Sequence, residues 1–467
     1  MEATYIFENV IMFVSIPTIM RELDVSLGAI SWIITVFLLV GAGTVALAGR
    51  LADIYGRRRV MLILMVISTI GPIISATTGT FEGILIGRAL QGTSAALFPL
   101  LVALAREVVT EKRAPVLISV TSGSQVIAGS FGGLLAGVVI DAGNWRLLFL
   151  ASGLLAAVAL IAAAIILPKP TEKLHASQTK LDWLGAVLPI PAIAAILYCI
   201  EQSRHGINTT NIAIFVVGLS IAAFWIVREL KISEPMFNLR LFKQRSLALI
   251  ALSISVLLTG LLVGGPLLQQ LLLQGSVDLP IGLGLSPTEA GYVGLATGIV
   301  AFALSPLPGK ISARSNSRTP LLIGIVVGIG GCGTLALSTS SLPVAIIALA
   351  IIGVSTTFCL ASIPNLILES VPFENTGEAV GMIYGPIRSL ASAIGTTIIT
   401  TLLATRTVPG TNSPTEYSWN LALGWMVITA IAGGIAAFAI RPRNSAPESV
   451  QADSPTSRLK GDSNLMS

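Results

Sequence analysis

The chain has 467 residues, of which 54% are hydrophobic and only 11% are charged, and its mean hydropathy is +0.86. Soluble domains carry about 25% charged residues, so this composition excludes a soluble enzyme. It predicts an all-α protein that crosses a membrane many times. The net charge of +5 is interpreted from the positions of the basic residues in that topology.

Apolar runs near the roughly 20 residues that cross a bilayer as a helix follow one another along the chain. Six precede the break after residue 167, two lie in a connector at 168–245, and six more lie at 246–440. They predict 14 transmembrane helices: a six-helix bundle at 1–167, two inserted central helices, and a second six-helix bundle at 246–440. The polar residues 441–467, rich in Ser, Pro, Asp and Asn, predict a disordered cytoplasmic tail.

The basic residues are distributed unevenly over this topology. Of the 28 Lys and Arg, 22 fall on one side of the membrane, four on the other, and two, Arg88 and Arg388, within it. Because Lys and Arg accumulate on the cytoplasmic side, both termini are expected to be cytoplasmic. The positive charge is thus attributed to a lipid bilayer, and no nucleic-acid partner is expected.

Residues that would indicate metal or enzyme chemistry are few. Cys199, Cys332 and Cys359 are scattered over apolar runs without CxxC spacing, which indicates neither a disulfide framework nor a metal site. The two histidines, His175 and His205, lie in polar loops, and the sequence contains no phosphate-binding loop or nucleophile motif. We expect no enzyme activity, no cofactor and no metal.

The loop between the second and third predicted spans, Gly49 to Val60, reads GRLADIYGRRRV. Its glycines supply backbone freedom where two helix ends come close, and Asp53 can cap the incoming helix. Arg57, Arg58 and Arg59 either take part in a mechanism at this loop or only hold it at the anionic cytoplasmic face of the membrane.

The pattern G-x-L-x-D-x-x-G-R-R in this loop resembles the signature loop of the major facilitator superfamily of secondary transporters. The resemblance implies two six-helix halves related by an axis along the membrane normal. It also implies a conformational latch that switches between the two states of alternating access. The residues that match this latch are Gly49, Arg50, Asp53, Gly56, Arg57 and Arg58.

A two-half protein should carry a faint internal repeat. Shifting the loop by 260 residues places Gly49 on Gly309 and Arg58 on Arg318, whereas Asp53 falls on Ala313. The second copy is therefore expected to lack the acidic half of the latch.

The arrangement of six, two and six spans is similar to the fourteen-span drug:proton antiporter branch of the superfamily. Three stretches add to the similarity: LDWLGAVL, GLGLSPTEAGY and VPFENTGEAVGMIYGPIRSL. The resemblance implies a monomer in the plasma membrane that exchanges protons for lipophilic or amphipathic small molecules.

An ionisable side chain within a membrane span indicates function, because it costs at least about 2.5 kcal/mol there. Glu8 lies in the first span, nine residues before Pro17, where the antiporter branch has an aspartate at the same spacing. Val10 and Phe13 depart from the Thr and Asn of that pattern. Glu8 is either the proton carrier or a carboxylate in headgroup water.

Arg88, in LIGRALQG of the fourth span, matches a superfamily arginine that lines the cavity and takes part in proton transfer. The alternative for Arg88 is a side chain that snorkels to the membrane interface. The apolar run after it, LQGTSAALFPLL, is uninterrupted, which argues against snorkelling.

The fifth span reads SGSQVIAGSFGGLLAGVV, and its glycines at four-residue spacing predict close helix packing. Gly129, Gly132 and Gly133 match a Gly-Pro-x-Gly-Gly type motif that is associated with antiport in the exporter branch. Ser130 replaces the proline of that motif, which leaves the packing but not the kink, and leaves the direction of transport open.

Further polar residues are candidates for a substrate cavity. They are Gln269, Gln270, Tyr384 and Arg388. Pro386 is expected to kink the thirteenth span. Each of the four residues is equally compatible with interhelical packing or with anchoring at the interface.

The leading hypothesis is a proton-coupled antiporter for multidrug efflux, which is a role in antibiotic resistance. The alternative within transport is a dedicated exporter of one endogenous metabolite, lipid or antibiotic, and the absent proline also leaves an importer open. A receptor that keeps the fold without transport is a third class, against which the loop, Glu8 and Arg88 argue.

Overall fold

The structure is a computed structural model that describes most of the chain. The described residues are 2–25, 27–110, 113–167, 182–202, 208–233, 235, 237–337, 341–372, 375–409, 411 and 413–440. Over these residues the secondary structure is helical, apart from an isolated β-bridge between Thr407 and Pro414. The predicted tail at 441–467 lies outside the described residues.

The first half of the chain contains seven helices. They are α1 (Glu2–Leu23), α2 (Leu27–Tyr55), α3 (Arg57–Thr78), α4 (Phe81–Gly92), α5 (Leu97–Val108), α6 (Ala114–Asp141) and α7 (Arg146–Ile166). A 3₁₀ turn at Thr93–Ala96 joins α4 to α5. The central segment adds α8 (Trp183–Val187), α9 (Pro189–Gln202) and α10 (Thr209–Lys231).

The second half begins after a 3₁₀ turn at Leu239–Lys243. Its helices are α11 (Arg245–Leu258), α12 (Leu261–Gln274), α13 (Pro287–Ala303), α14 (Pro306–Arg314), α15 (Arg318–Ala336), α16 (Leu342–Ser370), α17 (Thr376–Met382), α18 (Arg388–Ala404) and α19 (Glu416–Ala439). A π-helical turn at Ile383–Ile387 joins α17 to α18.

Among the described residues, 12 helices or continuous helix pairs are long and apolar enough to cross a membrane, so the chain is a multi-pass membrane protein. The predicted number of 14 is too high by this criterion. The first predicted span is α1, which carries four charged residues. The seventh is divided at Leu188 into a helix of five residues and one of 14. The backbone of Leu188 stays helical, but Pro189 has no N–H to donate to the preceding turn.

The two halves meet along α6 and α13, where small residues let the backbones approach closely. A β-carbon at Gly137 would lie 2.6 Å from the carbonyl oxygen of Pro287, and one at Gly291 would lie 2.6 Å from the Cα of Leu134. Neither glycine could be replaced without moving a helix. The largest cluster of buried apolar side chains lies in the second half and extends to Phe98 and Val102 of α5.

The central helices dock on both halves. A β-carbon at Gly43 of α2 would lie 3.0 Å from Ile190 of α9, and α9 also packs against α18. The start of α8 is tied to the end of α10 by Asp182, whose two oxygens each lie 2.7 Å from a nitrogen of Arg228. These hydrogen bonds hold the pKa of Asp182 below its usual range.

The approach of α6 and α13 generates a first prediction. Gly137→Ala should lower the free energy of unfolding by about 1 to 3 kcal/mol, because the added methyl overpacks the contact. Thermal melting in detergent would measure this loss. The matched control is Gly424→Ala in α19, where a β-carbon meets no atom within 4 Å. Equal melting temperatures for the two variants would contradict the close approach.

The Asp182–Arg228 pair generates a second prediction, which concerns pH. Because the folded protein lowers the pKa of Asp182, the pair contributes stability at neutral pH that is lost as the pH falls below about 4. Asp182→Asn should cost about 1.5 to 3 kcal/mol at neutral pH and flatten this part of the profile of melting temperature against pH. The control is Asp278→Asn at an exposed carboxylate, which should leave both the melting temperature and the profile unchanged.

Candidate functional site

Glu8 lies in α1 with 0% of its surface exposed, so its carboxyl is not in headgroup water. Its Oε1 accepts hydrogen bonds from Gln91 Nε2 at 3.4 Å and from Ser152 Oγ at 3.3 Å. Its Oε2 accepts from Ser94 Oγ at 3.2 Å. Three neutral donors from three segments of the first half therefore surround one buried carboxyl group.

Arg88 is 1% exposed, which excludes snorkelling to the interface. Its Nη1 donates to the backbone carbonyl of Glu8 at 3.1 Å and to Gln91 Oε1 at 3.3 Å. The guanidinium carbon lies 3.9 Å from the centroid of the Phe37 ring, a cation–π distance. Gln91 thus links the two charged residues, since its oxygen contacts Arg88 and its nitrogen contacts Glu8.

Part of the hydrogen-bonding capacity of Arg88 is unused. Within the described part of the chain, its Nε and Nη2 are buried and have no acceptor in hydrogen-bond distance. Leaving buried donors unsatisfied costs roughly 1 to 3 kcal/mol each. Arg88 therefore has two donors that could bind a further acceptor.

Within the fourth span the helix tightens into a 3₁₀ turn beside this site. The 3₁₀ turn at Thr93–Ala96 follows Gly92. The hydroxyl group of Thr93 donates to the carbonyl of Leu90 at 2.7 Å. The Ser94 hydroxyl also lies 2.6 Å from the carbonyl of Gln91, so its single proton can be given either to this carbonyl or to Glu8. Such local bonds compete with regular helix bonds, and here they place Ser94 against Glu8.

Sequence reasoning missed Phe37, Gln91, Ser94 and Ser152. A signal existed for two of them, because Arg88, Gln91 and Ser94 are spaced by three residues and so follow one side of the fourth span. Ser152 and Phe37 carry no local signal, since only the packing of α7 and α2 brings them to the site.

The signature loop contacts the ends of two other helices. Arg57 Nη1 donates to the carbonyl of Ala103 in α5 at 3.3 Å, and Arg58 Nη2 donates to the carbonyl of Ala164 in α7 at 2.7 Å. Gly56 has a φ of 90°, which confirms the predicted need for glycine. We call this end of the bundle, where α2 ends and α3 begins, the loop end.

For three other predicted latch residues, the described part of the structure shows no contact that would support the latch. A β-carbon at Gly49 would meet no atom within 4 Å, so the predicted close approach does not occur there. It occurs at the repeat counterpart Gly309, where a β-carbon would lie 2.5 Å from the Cα of Val116. The side chains of Arg50 and Asp53 lie outside the described part of the structure.

The second copy of the loop repeats the contacts of the first. Ser317, the counterpart of Arg57, donates from its backbone N and its Oγ to Glu369 near the end of α16 at 3.0 and 2.5 Å. Arg318, the counterpart of Arg58, donates to the carbonyl of Ile440 after α19 at 3.3 Å and lies over Phe438. The second loop carries Ala313 at the position of Asp53, and the carboxylate that contacts this loop, Glu369, comes from another helix.

The glycines of the fifth span face α1. The nearest atoms to β-carbons at Gly129, Gly132 and Gly133 belong to Ile6, Phe7 and Val10, at 3.2, 3.1 and 3.8 Å. On another side of α6, Ser130 contacts Gly298 of α13 and its hydroxyl donates to the carbonyl of Val126 at 3.0 Å. Helix α6 runs without a break from Ala114 to Asp141, in accord with serine in place of proline.

Two of the predicted cavity residues lie together. Tyr384 donates to the carbonyl of Leu360 at 3.3 Å and its ring packs on Phe98 at a centroid distance of 4.8 Å. The guanidinium of Arg388 lies 5.5 Å from the Tyr384 ring. The π-helical turn that contains Tyr384 and Pro386 is the distortion that the proline predicted.

The two glutamines of the ninth span are separate from this aromatic pair. Gln269 lies half-buried against Gly294 of α13. Gln270 is exposed and is paired with Gln274. Its exposure argues against a place in a closed cavity. Neighbouring residues on a helix point in different directions, so Gln269 can be half-buried while Gln270 is exposed.

Two helical halves that enclose buried charges define a membrane transport protein rather than an enzyme. The family model described as Major Facilitator Superfamily matches residues 3–396 and 279–461. The chain belongs to this superfamily.

The chain is 27% identical over 405 residues to the multidrug resistance protein Stp of Mycobacterium tuberculosis, covering 85% of this chain and 73% of Stp. It is 25% identical over 408 residues to the uncharacterized MFS-type transporter YhcA of Bacillus subtilis, covering 86% and 74%. The crystal structure of the human organic anion transporter MFSD10 shares the fold, with a TM-score of 0.61, 15% identity, and coverage of 94% and 98%.

The repeated loop contacts generate a third prediction. Arg318→Ala should lower the free energy of unfolding by about 1 to 2 kcal/mol, because it removes a hydrogen bond to a helix end and a cation–π contact. Thermal melting in detergent would measure the change. Arg314→Ala removes the same charge from an exposed position four residues away and serves as the control. A loss of the same size in both variants would show that only net charge matters.

Proposed function

We propose that this protein exports lipophilic or amphipathic small molecules in exchange for protons, by alternating access between two sides of the membrane. The observation that carries the proposal is the Glu8 carboxyl group, which is fully buried and held by three neutral donors beside Arg88. A carboxyl in such a place can change its proton occupancy when its surroundings change, as coupling requires.

In this proposal Glu8 holds the proton and Arg88 controls its release. The donors Gln91, Ser94 and Ser152 support the carboxylate after the proton has left. The two unused donors of Arg88 would turn toward that carboxylate when α1 and α4 shift. Protonation of Glu8 would then release Arg88 to its contacts with the Glu8 carbonyl and Phe37.

One proton per cycle supplies enough free energy. A proton moving down 100 mV gains about 2.3 kcal/mol, and one pH unit adds about 1.4 kcal/mol. The sum sustains roughly a 500-fold gradient of a neutral solute, at about 1.4 kcal/mol per factor of ten. A single titrating site such as Glu8 is therefore sufficient.

The substrate class is inferred from chemistry and from similarity. Tyr384, Phe98 and Arg388 form an aromatic and cationic cluster that favours apolar or aromatic solutes. The relative Stp is named a multidrug resistance protein, which supports multidrug efflux. Our assignment to the drug:proton antiporter branch of the superfamily rests on the sequence motifs.

The signature loop would act as the latch of this cycle. Arg57 and Arg58 hold the ends of α5 and α7, so the loop fixes three helices of the first half as one body. We place the loop end and both termini on the cytoplasmic side of the plasma membrane, because most basic residues lie there. The transporting unit would be a monomer.

Transport in inverted vesicles tests the proposal. With an inwardly acidic proton gradient, the wild type should accumulate a fluorescent lipophilic cation and a neutral dye, and Glu8→Gln should abolish this accumulation because the amide binds no proton. Glu82→Gln changes an exposed carboxylate of the same half and should transport normally. Size-exclusion profiles would establish that both variants fold.

Dye accumulation that persists in Glu8→Gln would remove Glu8 as the carrier and direct attention to Arg88 and Arg388. A panel of unrelated toxic compounds separates the two exporter hypotheses. Protection against many of them supports multidrug efflux, whereas protection against one chemical type supports a dedicated exporter.

A further inference from the structure

A cavity of about 150 Å³ lies where the central helices meet both halves of the protein. Its walls come from α2, α9, α10, α18 and the segments that flank α18 and α11, and include Gly43, Ile193, Trp225, Phe237 and Pro386. All the residues that line it are apolar, and the indole nitrogen of Trp225 already donates to the carbonyl of Gly185 at 3.0 Å. A cavity of this size and lining stays dry and takes apolar ligands.

The cavity can be reached from the bilayer. Ile226 of α10 lines it and is 42% exposed. The neighbouring apolar side chains Phe224 and Val227 are also exposed, as expected of a helix surface that faces lipid. An alkyl chain could therefore enter from the membrane without crossing water.

Positive charge borders the same region at the loop end. Ile226 is five residues before Lys231, and Phe237 immediately precedes the segment that carries Arg240, Lys243 and Arg245. All four of these basic side chains are exposed. Basic residues at a membrane surface attract anionic lipid headgroups.

The acidic groups nearby do not neutralise this rim. Glu229 is fully buried and accepts hydrogen bonds from Arg228 at 3.2 Å and from the backbone N of Phe237 at 2.9 Å. Asp182 is engaged by Arg228. Glu378, which is partly buried, accepts from the backbone N of Asn238. Residues 228–245 carry five Lys or Arg and two Glu, so the net charge of this segment is positive.

We propose that this cavity binds a segment of one acyl chain of an anionic phospholipid, with the headgroup held by Lys243, Arg245 and Lys231. The bound chain would contact the first half through α2, the second half through α18, and the central helices through α9 and α10. Lipid occupancy would therefore stabilise the junction of these three parts. This site is separate from Glu8 and does not depend on the proposed proton coupling.

Delipidated full-length protein in detergent tests the proposal, with dioleoylphosphatidylglycerol and dioleoylphosphatidylcholine as the added probes. Native mass spectrometry would count retained lipids, and thermal melting would follow stabilisation. The wild type should retain one phosphatidylglycerol molecule in preference to phosphatidylcholine, and its melting temperature should rise with phosphatidylglycerol.

Two variants address the two parts of the site. Ala222→Phe places a ring in the cavity and should abolish retention of both lipids, whereas Ala213→Phe, at an exposed position of the same helix, should retain them. The double variant Lys243→Gln/Arg245→Gln should weaken the preference for phosphatidylglycerol by about tenfold or more. The control Lys310→Gln/Arg314→Gln removes equal charge from exposed positions in another segment and should keep the preference.

Undiminished lipid retention in Ala222→Phe would overturn the assignment of the cavity. An unchanged headgroup preference in the Lys243→Gln/Arg245→Gln protein, whose cavity is intact, would overturn the assignment of the rim even if Ala222→Phe does not fold. If Ala222→Phe loses binding of a lipophilic dye but keeps the lipid, the occupant is a transported solute and the lipid assignment is wrong.

Discussion

The structure depends first on the burial of a carboxyl group inside a helical bundle. Glu8 is fully buried, so its oxygens require hydrogen-bond donors inside the protein. Gln91, Ser94 and Ser152 provide them, and each donor comes from a segment that must keep its place relative to α1. The 3₁₀ turn after α4 exists at the point where Ser94 meets that requirement. Arg88 adds a second charge to the same region, and two of its buried nitrogens have no acceptor among the described residues.

A second constraint is the pseudo-symmetry of the two halves. Arg58 and Arg318 each donate to the carbonyl of the last helix of their own half, and the residue before each of them contacts the end of the fourth span of that half. The geometry is conserved between the copies although the chemistry differs, since Arg57 is replaced by Ser317 and a carboxylate arrives from Glu369. A helix end must have its free carbonyls satisfied, and this requirement persists whether or not the loop also acts as a latch.

The central helices form a second junction between the two halves, apart from the contact of α6 with α13. Along α6 and α13 the joint is tight and formed by glycine, whereas beside α9 it encloses an apolar cavity. The polar ties of the central helices, Asp182 with Arg228 and Glu229 with Phe237, are local to the central segment and its connector, so movement between the halves need not break them.

The sequence by itself determined the helical membrane class, and it predicted the two halves and the candidate residues Glu8, Arg88 and the loop, because hydropathy, charge bias and an intramembrane charge are properties of composition and order. It overstated the number of apolar spans. At the seventh run, for example, a proline divides the helix into two short pieces, and a hydropathy pattern does not show such a division. Only the tertiary structure decided that Ser152 reaches Glu8, that Glu369 serves the second loop, and that the close approach falls on Gly309 instead of Gly49. These are contacts between residues distant in sequence, and helix packing, which sets them, has no signature within a single segment.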